Sequence, residues 1–244
     1  MNEKKILLVT GASSEIGCEL IKKVAENYEV IIAHYYNCKK DLEEIQLNIG
    51  KKLILMQADF SDAESVKSMI ENIKNTGYFP NHIVHLSAQK LKLEKFIKCD
   101  WNIFRQGIET SVHSIVDILQ AFIPNMVKNK EGKIIFMLTS STLGIPPKYQ
   151  AAYVSVKYML LGLMKSLSAE YADKGITING ISPDMIETKF LTNIPDMVVQ
   201  KNAQNSPIKR NLTLNDVIPA FEYLLSDAAN AVTGQNLGIT GGIC

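Results

Sequence analysis

Apolar residues in this chain fall into short unbroken runs, separated by longer stretches in which they recur every three or four positions. The runs at 4–10 (KKILLVT), 29–35 (EVIIAHY), 52–57 (KLILMQ), 82–87 (HIVHLS), 133–139 (KIIFMLT) and 176–182 (ITINGIS) read as strands, with a last short one at 235–240 (QNLGIT). The helical pattern falls at 15–27, 39–49, 62–75, 101–129, 150–173 and 213–226. Strand and helix alternate, so the strands are expected to run parallel and to be joined by helical crossovers. The strands are rich in Ile, Val and Leu at successive positions, which suits a sheet covered on both faces. The pattern predicts one α/β domain over 1–244, a doubly wound parallel sheet of about seven strands with helices on both faces. Its weakest stretch is 189–211, with two prolines and many polar residues, read as a mobile excursion at the substrate side.

Composition narrows the class. Lys plus Arg is 26 and Asp plus Glu is 25 in 244 residues, which gives no basic excess for a nucleic-acid surface. No apolar stretch approaches the roughly 20 residues of a membrane span. The first strand begins near residue 4 and leaves no room for a signal peptide, so a cytoplasmic protein is expected. Cys18, Cys38, Cys99 and Cys244 are scattered and include no CxxC pair, as free thiols in a reducing compartment would be. The four histidines show no metal-ligand spacing, and no metal is expected.

The first candidate chemistry is "TGASSEIG", Thr10 to Gly17, directly after the first strand. A glycine turn that opens a helix offers free backbone N–H groups and the positive end of the helix dipole to an anion. Gly11 permits the tight turn and Gly17 a close approach of helix to sheet. The second is Tyr153 and Lys157, four residues apart in a helical pattern and so on one face. A tyrosine hydroxyl near pKa 10 is a poor acid–base group at neutral pH, and a neighbouring ammonium is expected to lower it. Tyr153 could then exchange a proton with a carbonyl oxygen.

Together these motifs resemble the short-chain dehydrogenase/reductase family along almost the whole chain. The family's TGxxxGxG is matched by Thr10, Gly11 and Gly17, with Glu15 in place of the middle glycine. YxxxK is matched by Tyr153 and Lys157, a PGxxxT-like stretch by Pro183 to Thr188, and the usual last strand by TGQNLGITGG at 233–242. The resemblance implies a Rossmann-type fold and hydride transfer between a nicotinamide dinucleotide and a carbonyl or alcohol. It implies cofactor contacts from Gly11, Ser13, Ser14, Glu15, Ile16 and Gly17, from Tyr35, Asn37 and Lys39 after the second strand, and from Asp59 and Phe60 after the third. Ser87 and Ala88, in the place of the family's NNAG, complete the set with Tyr153, Lys157, Pro183, Asp184, Ile186 and Thr188. Glu15 is expected to point its carboxylate to solvent while its N–H faces phosphate. No acid precedes Asp41 after the second strand, and Lys39 and Lys40 could meet a 2′-phosphate, so NADP is preferred over NAD.

The family's third catalytic member is a serine. Counting thirteen residues back from Tyr153 selects Ser140, whereas aligning Gly144 to SSxxG selects Ser141. The family's helix-four asparagine, which holds a relay water, falls on Ser111 or on Ile108, depending on the direction of counting. Asp184 stands where the family has glycine. The motifs look most like the 3-oxoacyl carrier-protein reductase group. A carrier-linked 3-oxoacyl substrate and a sugar-derived or secondary-metabolite ketone both remain open. The rival reading is a non-catalytic member that senses a dinucleotide or serves as a structural subunit. Apolar residues beyond one helix face, Ile115, Ile118 and Phe122 with Met159, Leu163 and Leu167, suggest a homotetramer or homodimer.

Overall fold

The computed structural model describes residues 5–49 and 52–242. Lys4, in the first predicted strand, and Cys244 lie outside them. In chain order the elements are β1 (Ile6–Thr10), α1 (Glu15–Val24), β2 (Val30–Tyr35), α2 (Lys40–Ile49), β3 (Lys52–Gln57), α3 (Ala63–Asn75) and β4 (His82–His85). They continue with α4 (Trp101–Ile108), α5 (Ser114–Asn129), β5 (Gly132–Met137), α6 (Ala151–Tyr171), β6 (Ile176–Pro183), α7 (Asp196–Asn205), α8 (Leu214–Leu225) and β7 (Asn236–Ile239).

The strands form a single parallel sheet in the order β3-β2-β1-β4-β5-β6-β7. Side chains alternate across a strand, so β1 sends Leu7 and Val9 into one core and Ile6 and Leu8 into the other. The first core is closed by α1, α2 and α8, through residues such as Leu20, Ile21, Leu42 and Phe221. The second is closed by α3, α5 and α6, through Met69, Ile118, Phe122 and Leu160. β1 pairs with β2 on one side and with β4 on the other. The crossover direction reverses between β1 and β4, where open α/β sheets bind their ligands.

Three expectations change. The helix predicted over 101–129 is interrupted by a wide turn at Glu109–His113 between α4 and α5. That turn frees the Ser111 carbonyl, which accepts from His85 Nε2 at 2.9 Å. The stretch 189–211 carries a helix of its own, α7, with no buried residue on it. Ile115, Ile118 and Phe122 are fully buried in the chain's own core, so they offer no surface for self-association.

Candidate active site

β1 delivers Thr10 to the switch point, and the chain then turns at Gly11 with φ +65°. A Cβ at Gly11 would lie 3.0 Å from the Ser87 nitrogen, and one at Gly17 would lie 2.5 Å from the Ala12 carbonyl. Both glycines are therefore required by close backbone approach. Ser14 caps α1: its hydroxyl donates to the Gly11 carbonyl at 2.8 Å and accepts from Gly17 N at 3.1 Å. The N–H groups of Glu15 and Ile16 are in the first turn, where no carbonyl of their own helix reaches them. Ser13 lies half-buried in the turn itself.

Two buried histidines hold this turn. His34 Nδ1 accepts from Gly11 N at 3.0 Å and its Nε2 donates to the Ala58 carbonyl at 3.1 Å. Thr10 donates its hydroxyl to His85 Nδ1 at 2.8 Å and accepts from Leu86 N at 3.2 Å. Burial pulls His34 down to about 4 and His85 down to about 3, so both imidazoles are neutral. The Ser87 hydroxyl is buried beside Gly11 with no hydrogen-bond partner among the described residues. An orphaned buried hydroxyl is costly and calls for an external partner. With the open N–H groups of α1, it fits a dinucleotide laid across the turn. Ala88, next in the chain, is half-buried.

After β2, Tyr35 is half-buried while Asn37 and Lys39 are exposed. Lys39 is paired with Glu43 at 2.8 Å. Asp59 accepts from the Ser61 hydroxyl at 2.6 Å and from Ser61 N at 2.8 Å. The Ser61 hydroxyl, foremost, holds its pKa below the usual carboxylate range. The Phe60 ring is buried and stacked on His34 at 3.8 Å, so only its backbone can face the groove.

α6 carries Tyr153 and Lys157 to the ends of β4 and β5. Lys157 is 3% exposed, donates to the Met137 carbonyl at 2.6 Å, and has Nζ 5.7 Å from the centroid of the Tyr153 ring. Burial pulls its ammonium down to about 8. Tyr153 moves opposite to the sequence expectation: burial pushes its hydroxyl up to about 12, opposed by a hydrogen bond from Thr139. The lysine spends its hydrogen bond on Met137, and desolvation of the phenolate prevails.

The nearby hydroxyls are divided among different tasks. Thr139 lies two residues past β5, its hydroxyl near enough to Tyr153 to oppose that rise, and the sequence reading did not single it out. Ser140 donates to Asp184 Oδ1 at 3.2 Å. Ser141 is buried, its N–H donating to Thr139 Oγ1 at 3.4 Å. A cavity of about 20 Å³, room for about one water, lies among residues that include Tyr153, Lys157, Ser111, Gly107 and Ala88. Ser111 thus lines the space beside the lysine, and Ile108 does not.

β6 ends at buried Pro183. Asp184 Oδ2 accepts from Asn202 Nδ2 on α7 at 2.9 Å. Ile186 is buried and bridges to Leu212, and Thr188 is half-buried. The Glu15 carboxylate does not point freely to solvent. It accepts from Lys189 N, in the segment that follows β6, at 2.5 Å. A larger cleft, about 1150 Å³, opens at the opposite end of the sheet between Lys5, Glu131, Lys133 and Asp227 and contains none of these groups. Among the described residues, no cluster of three or more His, Cys, Asp or Glu is placed to hold a metal.

A parallel sheet with an anion-ready turn after its central strand, faced by a tyrosine–lysine pair, is the arrangement of a dinucleotide-dependent oxidoreductase. A family model described as enoyl-(acyl carrier protein) reductase matches residues 11–244. Nodulation protein G of Azospirillum brasilense is 31% identical, over 98% of this chain and 98% of its own. A 3-oxoacyl-[acyl-carrier-protein] reductase of Staphylococcus aureus is 28% identical over 100% of this chain and 99% of its own. The crystal structure of a 3-oxoacyl-[acyl-carrier protein] reductase from Brucella melitensis superposes with a TM-score of 0.87, at 20% identity, over 99% of this chain and 91% of that one. The chain belongs to the short-chain dehydrogenase/reductase family.

Proposed function

We propose that the protein catalyses reversible hydride transfer between NADP(H) and a carbonyl compound, working chiefly as a reductase. The observation that carries this reading is the Tyr153–Lys157 pair on α6, with Lys157 buried and bonded to the Met137 carbonyl at the end of β5, together with the turn that Gly11 makes against Ser87. The nicotinamide, when bound, supplies the hydride. Glu15 and Ile16 would offer N–H groups to its phosphates, and Ser87 would find its missing partner there. Asp59 would meet the adenine, and Lys39 the 2′-phosphate that distinguishes NADP from NAD. Lys157 would hold ribose hydroxyls.

A tyrosine raised to about 12 is fully protonated at neutral pH, which is the form that reduction needs. Tyr153 donates that proton to the substrate oxygen. Lys157 keeps an ammonium beside the ring and refills the proton through the water-sized space next to Ser111. The names of the relatives support a 3-oxoacyl thioester, carried on a carrier protein, as the substrate class. The test is NADPH oxidation with a 3-oxoacyl thioester and a panel of simple ketones. Turnover of the thioester is expected, and oxidation with no carbonyl in the panel would overturn the proposal.

A further inference from the structure

Two acidic residues replace glycines of the family pattern, and the structure joins both to one segment. Glu15, in the first turn of α1, reaches Lys189 N across 174 residues of sequence. Asp184, at the start of the segment, accepts from Ser140 behind it and from Asn202 on α7 ahead of it. Asn202 also donates to Asn211 Oδ1 at 3.1 Å, and Asn211 to the Val199 carbonyl at 3.3 Å, which closes the far end. Glycine could make neither carboxylate contact. α7 has no fully buried residue: Val199, Asn202 and Ala203 are half-buried, and Ile194 before it and Ser206 after it are buried, so these polar contacts carry much of its attachment.

We propose that Glu15 and Asp184 are positioning residues that clamp the 185–211 segment across the dinucleotide groove before any cofactor arrives. Glu15 occupies the place where the helix dipole favours an anion, and it ties Lys189 there. A dinucleotide must part this contact to enter and to leave. The clamp lowers the rates of both and keeps the substrate side assembled between turnovers. The inference rests on the nucleotide reading only for what passes under the segment. The clamp itself is made by contacts among this chain's own residues.

Limited trypsin digestion of the cofactor-free protein, with cut sites identified by mass, tests it directly. The segment holds Lys189, Lys201, Lys209 and Arg210, all exposed. Opening of a local unit sets the cleavage rate when closing is fast, so Glu15→Gly and Asp184→Gly are each expected to speed cuts within 189–210 by about fivefold or more. Glu15→Gln keeps an oxygen that can accept from Lys189 N and is expected to restore most of the protection. Lys189→Pro removes the N–H itself without touching the glycine turn, and it should speed the cuts after Lys201, Lys209 and Arg210. In stopped flow, Glu15→Gly and Lys189→Pro should raise the association and dissociation rates of NADPH together, with a smaller change in their ratio. A glycine variant that merely unfolds would also be cut at Lys133, which is buried in β5, and Lys189→Pro then decides. Wild-type cleavage rates in Lys189→Pro and in folded Glu15→Gly would overturn the clamp. That result is independent of whether any carbonyl is reduced.

Discussion

The imidazole of His34 takes the backbone N–H of Gly11 on Nδ1 at 3.0 Å. A backbone N–H can only donate, so Nδ1 must be unprotonated and Nε2 must carry the hydrogen given to Ala58. A proton on Nδ1 would remove the acceptor that anchors the nucleotide turn.

This sets an acid limit. The folded pKa of His34, about 4, is below the ordinary 6.5, and that of His85 is about 3. Between the folded and unfolded values the unfolded chain binds more protons, so stability falls as pH falls below about 6.5. His34 alone should cost about 2 kcal/mol by about pH 5. His113, raised by Glu109, acts in the opposite sense but is exposed and weakly coupled to folding. Urea unfolding at a series of pH values should show the midpoint dropping from about pH 7 to 5, and a flat profile would refute the buried neutral pair.

Tyr153→Phe keeps the ring that Lys157 lies against and removes only the proton donor. NADPH affinity should stay within about twofold, while single-turnover hydride transfer falls by about 100-fold or more. Equal losses in both would assign Tyr153 to cofactor binding.

A hydroxyl scan should separate the three neighbours. Thr139→Val should lower kcat by about tenfold or more, and Thr139→Ser should recover most of it, because a hydroxyl beside Tyr153 returns. Ser141→Ala should matter least. Ser140→Ala should act through Asp184, loosening the segment more than the chemistry. A larger loss of kcat at Ser140 than at Thr139 would assign the substrate oxygen to the residue selected by counting back from Tyr153.

Lys39 is held by Glu43, so its charge is shared in the absence of a ligand. Lys39→Ala should weaken NADPH by up to about tenfold and leave NADH unchanged, with the difference shrinking as salt rises. Glu43→Gln should act in the opposite direction. Fluorescence titration of both dinucleotides would show it, and equal affinities for the two in the native protein would remove the lysine argument.

Of the residues first suspected of self-association, Ile115, Ile118 and Phe122 are buried in the core, whereas Met159 is on the surface. Trp101 is 67% exposed and stacked on Phe104, and Ile97 is 87% exposed close by in sequence. Tyr158 and Met159 on α6 are also exposed. Light scattering at micromolar concentration should give a dimer or tetramer of the 27.2 kDa chain, and a monomer alone would contradict this.

Much of this was legible in the sequence because it is local. Unbroken apolar runs and three-to-four-residue periodicity located the seven strands and most of the helices to within a few residues. The glycine turn and the Tyr153–Lys157 spacing marked the site. What escaped was non-local or unpatterned. α7 has no apolar stripe, so no periodicity announced it. The wide turn at Glu109–His113 lies inside an unbroken helical pattern. The partner of the Glu15 carboxylate is 174 residues away, and the role of His34 depends on which strands are adjacent.

The sheet order also governs how the chain is made. β1 leaves synthesis first, yet its second neighbour, β4, follows only after β2, β3 and their helices. A fragment that ends at Asn75 would leave one side of β1 bare, a row of unpaired amides between Ile6 and Thr10 ready to pair with another chain. The glycine turn would be present but without Ser87 against it, without Tyr153, and without Lys189 for Glu15 to hold. Affinity for a dinucleotide should therefore arise late on the ribosome, and truncated products should aggregate before they bind.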